Sequence, residues 1–271
     1  MYPDNLFWDF NLYNICLTIG LIAVVIVLDK YLEKRNVPVK VQNFYLIVGV
    51  LTIGLGIICA NLMQSIYHYI ETGIFSFNAG MTFYGGLIGG IITFFIGFFI
   101  FGKILFKEKE HIKYCSDLFA VAPCCITVGH AFGRLGCLFA GCCYGREVDG
   151  FPGLPMTVWK NGVQVHGYFI PTQLYESIFL FVLFGITTYL YFKKIDWNFV
   201  VYLLGYGTWR FIIEFFRTDD RGELLPGLTP SQWISIGLII AGLVILGFKL
   251  YKIFKAKKID EPPIPTETTE Q

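Results

Sequence analysis

The chain has 271 residues, is 55% hydrophobic, carries 15% charged residues and has a mean hydropathy of +0.60. That balance excludes an ordinary soluble domain, and a net charge of +1 gives no electrostatic basis for binding nucleic acid. What is left is a polytopic membrane protein.

Seven apolar stretches are long enough to span, at roughly 18–25 residues each. In chain order they cover 11–28, 43–67, 82–106, 116–139, 172–192, 198–216 and 232–251. The first follows MYPDNLFWDFN, which has two acids and no Lys or Arg, unlike the basic start of a cleaved signal peptide. It is therefore expected to stay as a helix.

The connections alternate in charge. Lys30, Lys34, Arg35 and Lys40 follow the first span, Lys103, Lys107, Lys109 and Lys113 the third, and Lys193 and Lys194 the fifth. Lys249, Lys252, Lys255, Lys257 and Lys258 follow the seventh. The other connections hold only Arg146, Lys160 and Arg221. Fifteen against three predicts the N-terminus outside and the C-terminus in the cytoplasm. The expected organisation is one seven-helix domain over 1–252, with 140–171 as an external loop or head, and a polar, Pro-containing disordered tail over 253–271. No internal repeat of the kind that marks many transporters is visible.

Ionisable residues at membrane depth mark functional sites. With the orientation set and a rise of about 1.5 Å per residue, they converge near the outer surface. Arg134 lies near the outer end of the fourth span with His130 one turn deeper. Arg210, Glu214 and Arg217 fall at i, i+4 and i+7 in the sixth, predicting one helical face. Tyr175 and Glu176 begin the fifth span, and Tyr13, Tyr84, Asn61 and Gln64 reach the same level. Three guanidiniums against two acids leave surplus positive charge at headgroup depth, where the planar fork of arginine suits a lipid phosphate. A purely structural ion pair is the competing reading. Gly85, Gly86, Gly89 and Gly90 serve either helix contact or a ligand. Gly133, Gly136, Gly141 and Gly145 run past a helix end, where close backbone approach or a positive φ is expected.

These segments resemble the bacterial phosphatidylglycerol–prolipoprotein diacylglyceryl transferase family. Gly80-Met81-Thr82-Phe83-Tyr84-Gly85-Gly86-Leu87-Ile88-Gly89 is similar to the family's G-M-S-F-H-G-G-L-I-G, and Gly133-Arg134-Leu135-Gly136 through Gly145 to its G-R-x-G-N-F-x-N-G-E-x-x-G. Pro171-Thr172-Gln173-Leu174-Tyr175-Glu176 is similar to P-S-Q-L-Y-E, and Gly205-Tyr206-Gly207-Thr208-Trp209-Arg210 with Glu214-Phe215-Phe216-Arg217 to G-Y-G-x-x-R…E-F-F-R. The resemblance implies an all-α enzyme of the bacterial inner membrane, acting as a monomer without cofactor or metal. It implies transfer of a diacylglyceryl group from phosphatidylglycerol to the lipobox cysteine of a prolipoprotein signal peptide, with glycerol phosphate released.

The same resemblance implies that Arg134 and Arg210 hold the phosphate, Glu214 orients Arg210, and Tyr84 occupies the position of the catalytic histidine. Tyr13, Gly85, Gly86, Gly136, Cys137, Gly145, Tyr175, Glu176 and Arg217 would line the substrates. The departures fall on the thiol-activating half. Tyr84 replaces the histidine, Cys137 and Ala140 replace two signature asparagines, and Cys142 replaces a glutamate. An arginine usual in the second span is missing from Gly54-Leu55-Gly56-Ile57. A phenol is a poor base at neutral pH, and His130 or Glu214 are the other candidates. A paralogue with another acceptor and a non-catalytic lipid- or peptide-binding protein are the alternatives.

Of the eight cysteines, Cys16, Cys59 and Cys115 read as buried filler, and Cys124-Cys125 lie deeper in the fourth span. Cys137, Cys142 and Cys143 divide between filler and an external disulfide. Familiar zinc spacings are absent, so no metal is expected. A thiol-redox protein would want C-x-x-C, which does not occur.

Overall fold

The structure, a computed structural model, describes residues 11–77, 80–160, 163–217 and 227–260; of Phe83 and 256–260 only the backbone is described. Seven helices among the described residues are long and apolar enough to cross a membrane, as expected. We number them α1 (Leu12–Lys34), α2 (Val39–Thr72), α3 (Phe83–Phe95, continued by a π-helical stretch Ile96–Phe101 and Gly102–Leu105), α4 (Cys115–Ala140), α5 (Thr172–Phe192), α6 (Asn198–Ile213) and α7 (Pro230–Asp260).

Helix ends follow local chemistry. Asn36 takes a left-handed conformation (φ 58°) in the turn after α1, which asparagine tolerates better than most residues. Pro38 then precedes α2 with φ already at −58°. Gly73 closes α2 in a left-handed cap (φ 74°), its N–H donating to Tyr69 O. Several helices overrun the apolar windows: α1 carries Lys30 and Lys34, and α2 is 34 residues long. α7 reaches Asp260, so the start of the expected tail is helical, while 261–271 lie outside the described residues.

The expectation of an all-α chain needs correction. Within residues 140–171, β1 (Leu154–Lys160) and β2 (Val163–Phe169) form an antiparallel hairpin, with Leu154 opposite Phe169 and Lys160 opposite Val163. Met156, Val158 and Phe169 are buried with Leu138 of α4, so the hairpin has one apolar face and one exposed face. The glycines and prolines of that loop hid this alternation.

The chain divides into two compact units, Met1–Gly20 with Thr127–Gln271, and Leu21–Ile126. In the second unit α2 and α3 pack closely. A Cβ on Gly85 would lie 2.7 Å from Cys59 O, and one on Gly89 only 2.3 Å from Cys59 Cβ. Helix contact therefore accounts for this glycine set, Gly86 included, whose Cβ would meet Ala60 Cβ at 3.4 Å. In the first unit Ala131, Leu180, Leu183 and Tyr206 form a core between α4, α5 and α6, and Phe179 stacks on Trp209 at 4.4 Å. Many large apolar side chains elsewhere face outward, as a lipid solvent requires.

Candidate active site

The first unit gathers most of the expected polar residues around one carboxylate that the expectation had given a minor part. Glu176, near the start of α5, is fully buried. Pro171 precedes that helix, a residue suited to helix starts. Arg134 Nε lies 2.9 Å from Glu176 Oε2, and Arg210 Nη1 lies 3.4 Å from the same oxygen. Tyr206 Oη donates to Glu176 Oε1 at 3.0 Å. A buried carboxylate with two guanidiniums and a phenol is satisfied on every side, which is what allows it to stay charged there.

The two arginines differ in what they have left over. Arg210 is almost wholly committed: Nη2 donates to Ser231 Oγ at 3.0 Å and sits 2.9 Å from Glu214 Oε2, while Nη1 faces Glu176. Glu214 in turn accepts from Thr229 Oγ1 at 3.1 Å. Arg134 uses only Nε, toward Glu176 and in donating to His130 Nε2 at 3.3 Å. Both of its Nη groups make no protein hydrogen bond among the described residues. Because Nε2 of His130 accepts from Arg134, that ring nitrogen is occupied rather than poised as a base.

The helical face expected for Arg210, Glu214 and Arg217 holds only for the first pair. α6 ends at Ile213, Glu214–Phe216 tighten into a 3₁₀ turn, and Arg217 is extended (φ −96°, ψ 148°). There Arg217 pairs as a β-bridge with Gly145, and Arg146 N–H donates to Phe216 O at 2.9 Å. Gly145 is needed for this approach, since a Cβ would lie 2.5 Å from Phe216 O and 2.9 Å from Thr172 Cγ2. Gly145→Ala is expected to open the bridge and cost about 1–3 kcal/mol, as overpacking does. Thermal unfolding in detergent, compared with Gly150→Ala where nothing lies within 4 Å, checks this.

Between Arg134 and Gly145 the chain makes a tight turn. Gly141 (φ 66°) and Cys143 (φ 62°) are left-handed, and the sulfurs of Cys137, Cys142 and Cys143 lie within 4.8 Å of one another. All eight cysteines carry thiols. Contacts with the Cys137 and Cys142 thiols, then the charges of Arg217 and Arg134, hold the Cys143 thiol below its ordinary range.

Other expected residues are placed as follows. Tyr13 of α1 packs on Gly136, whose Cβ would meet Tyr13 Cδ2 at 3.1 Å. Tyr175 Oη donates to Pro152 O at 2.8 Å, next to the hairpin. Tyr84, Gly85 and Gly86 belong to the other unit, where Tyr84 is exposed. The expectation missed Tyr206, Ser231 and Thr229, and undervalued Glu176. Matching charges by depth on different helices would have paired Glu176 with Arg134.

Spans and site together define a multi-pass helical membrane protein with a buried guanidinium–carboxylate network and a spare arginine fork. A family profile described as prolipoprotein diacylglyceryl transferase matches residues 5–248. The chain belongs to that family. It is similar to the phosphatidylglycerol–prolipoprotein diacylglyceryl transferases of Clostridium tetani (30% identical, covering 89% of this chain and 93% of the relative) and Dehalococcoides mccartyi (31%, 92% and 92%). The Streptococcus agalactiae enzyme is 31% identical over 91% of this chain and 93% of its own length.

Proposed function

We propose that this protein transfers the diacylglyceryl group of phosphatidylglycerol to the lipobox cysteine thiol of prolipoproteins, the first step of lipoprotein maturation. The observation that carries the reading at the site is the pair of unengaged Nη groups on Arg134, beside a network that fixes Nε. An arginine so held offers two parallel donors to a phosphate. As glycerol phosphate leaves, its developing charge would be met by donors that need no rearrangement. Arg210, clamped by Glu176 and Glu214, supplies the second positive charge and keeps the first in place.

In this reading the N-terminus is outside and the protein sits in the bacterial cytoplasmic membrane as a monomer, with the site at the outer leaflet. The fifteen-to-three distribution of basic residues supports that orientation. Tyr13, Gly136, Tyr175 and Arg217 line the substrates from the first unit. Tyr84 stands where the family has its histidine.

Expression in a bacterium depleted of its own transferase tests this. A lipobox peptide heavier by one diacylglyceryl group is the expected product by mass spectrometry. Its absence at good membrane expression would remove the transferase reading. Tyr84→His in the same assay is expected to raise the rate if the histidine position still faces the acceptor.

A further inference from the structure

The cluster of Cys137, Cys142 and Cys143 is not explained by phosphate binding. Three sulfurs within 4.8 Å of one another need only small adjustments to reach the edge of a tetrahedral zinc–thiolate site, about 3.8 Å for Zn–S bonds of about 2.3 Å. The turn that brings them together is pinned on several sides. Cys142 N–H donates to Cys137 O at 3.2 Å, and Trp159 N–H of β1 to Gly141 O at 3.3 Å. From α5, Gln173 Nε2 donates to Cys142 O at 3.0 Å and Thr172 Oγ1 to Cys143 O at 2.8 Å. Cys143 is held left-handed, which a non-glycine residue adopts only where its surroundings impose it. All three residues are half-buried, so an ion and a further ligand can reach them.

We propose that Cys137, Cys142 and Cys143 bind a thiophilic d10 cation of the zinc class, and that its remaining coordination position takes the thiol of the acceptor peptide. Three protein ligands with one open position is the pattern of a reactive rather than a structural zinc. Zn²⁺ with three thiolates carries one negative charge, and the fields of Arg134 and Arg217 at Cys143 compensate it. The acceptor half rests on the transferase reading; the metal half does not.

In the step implied, the acceptor thiol releases its proton to water on binding the ion. Its sulfur then attacks the glycerol carbon of the lipid, forming C–S as the C–O bond to phosphate breaks. The bonding pair leaves with glycerol phosphate, next to Arg134. The ion would thereby do for the thiol what a tyrosine at the histidine position does poorly.

The test uses the full chain, purified in detergent, stripped with chelator and titrated with Zn²⁺ and Co²⁺. One equivalent of zinc per chain and a sulfur-to-cobalt charge-transfer band are expected. Cys142→Ser and Cys143→Ser should each weaken binding by more than about 100-fold, beyond the loss of an outer-shell partner. Cys59→Ser should leave it unchanged. Substoichiometric metal, affinity indifferent to Cys142→Ser, or a disulfide among the three in protein purified without oxygen overturns the site. A lipobox peptide should shift the cobalt d–d bands and its Cys→Ser version should not; equal spectra overturn the acceptor position. Transfer is measured on the same samples: transfer that survives full chelation refutes the acceptor half and leaves the transferase reading intact. Stoichiometric metal without transfer refutes that reading and leaves the site.

Discussion

Arg134→Ala is expected to lower diacylglyceryl transfer by roughly 10³-fold while the protein still folds, a loss of the size seen when one pre-aimed donor to a developing anion is removed. The fold survives because Glu176 keeps Arg210 and Tyr206 as partners. Arg134→Lys separates charge from geometry. A lysine supplies the charge but neither the Nε contact to Glu176 nor two parallel donors, so most of the loss is expected to remain. Rates on mixed micelles of phosphatidylglycerol and lipobox peptide, with thermal unfolding alongside, decide this. Wild-type rates in either variant would remove Arg134 from the phosphate.

Glu176→Ala should behave in the opposite way, failing first in stability. It strips Arg134 of its carboxylate and leaves Arg210 with Glu214 alone, in a buried site, which costs on the order of 3–5 kcal/mol. Thermal unfolding in detergent should fall by on the order of 10 °C. Glu176→Gln, which still accepts from Tyr206, should unfold less readily than the alanine variant yet lose activity, since Arg134 is no longer anchored. Glu176→Leu combined with Arg210→Leu should cost less than the sum of the two single changes, because the pair removes its own imbalance. Strict additivity would mean that the Glu176–Arg210 contact at 3.4 Å carries no coupling energy.

The spans were legible because lipid imposes one rule on every residue in them, and hydropathy reads that rule directly. What escaped were contacts made by tertiary approach. Glu176 meets Arg134 across two helices, and no spacing within either announces it. The sixth span looked like one continuous face to Arg217, but the chain tightens at Glu214 and turns to pair with Gly145. The hairpin alternates over only a few residues, with punctuation that reads as loop. The three thiols come together because Gly141 and Cys143 both turn left-handed, which the spacing of Cys137 and Cys142 does not disclose.

The carboxylate shared between Arg134 and Arg210 also bears on how this chain can change over generations. Replacing Glu176 first passes through an intermediate in which the charge of Arg134 is stranded, so that carboxylate cannot drift ahead of its arginine. An uncharged position such as Ala140, the last residue of α4, carries no such penalty and can be altered by itself. A lineage can therefore rework the turn after α4 while inheriting the buried charges as a block.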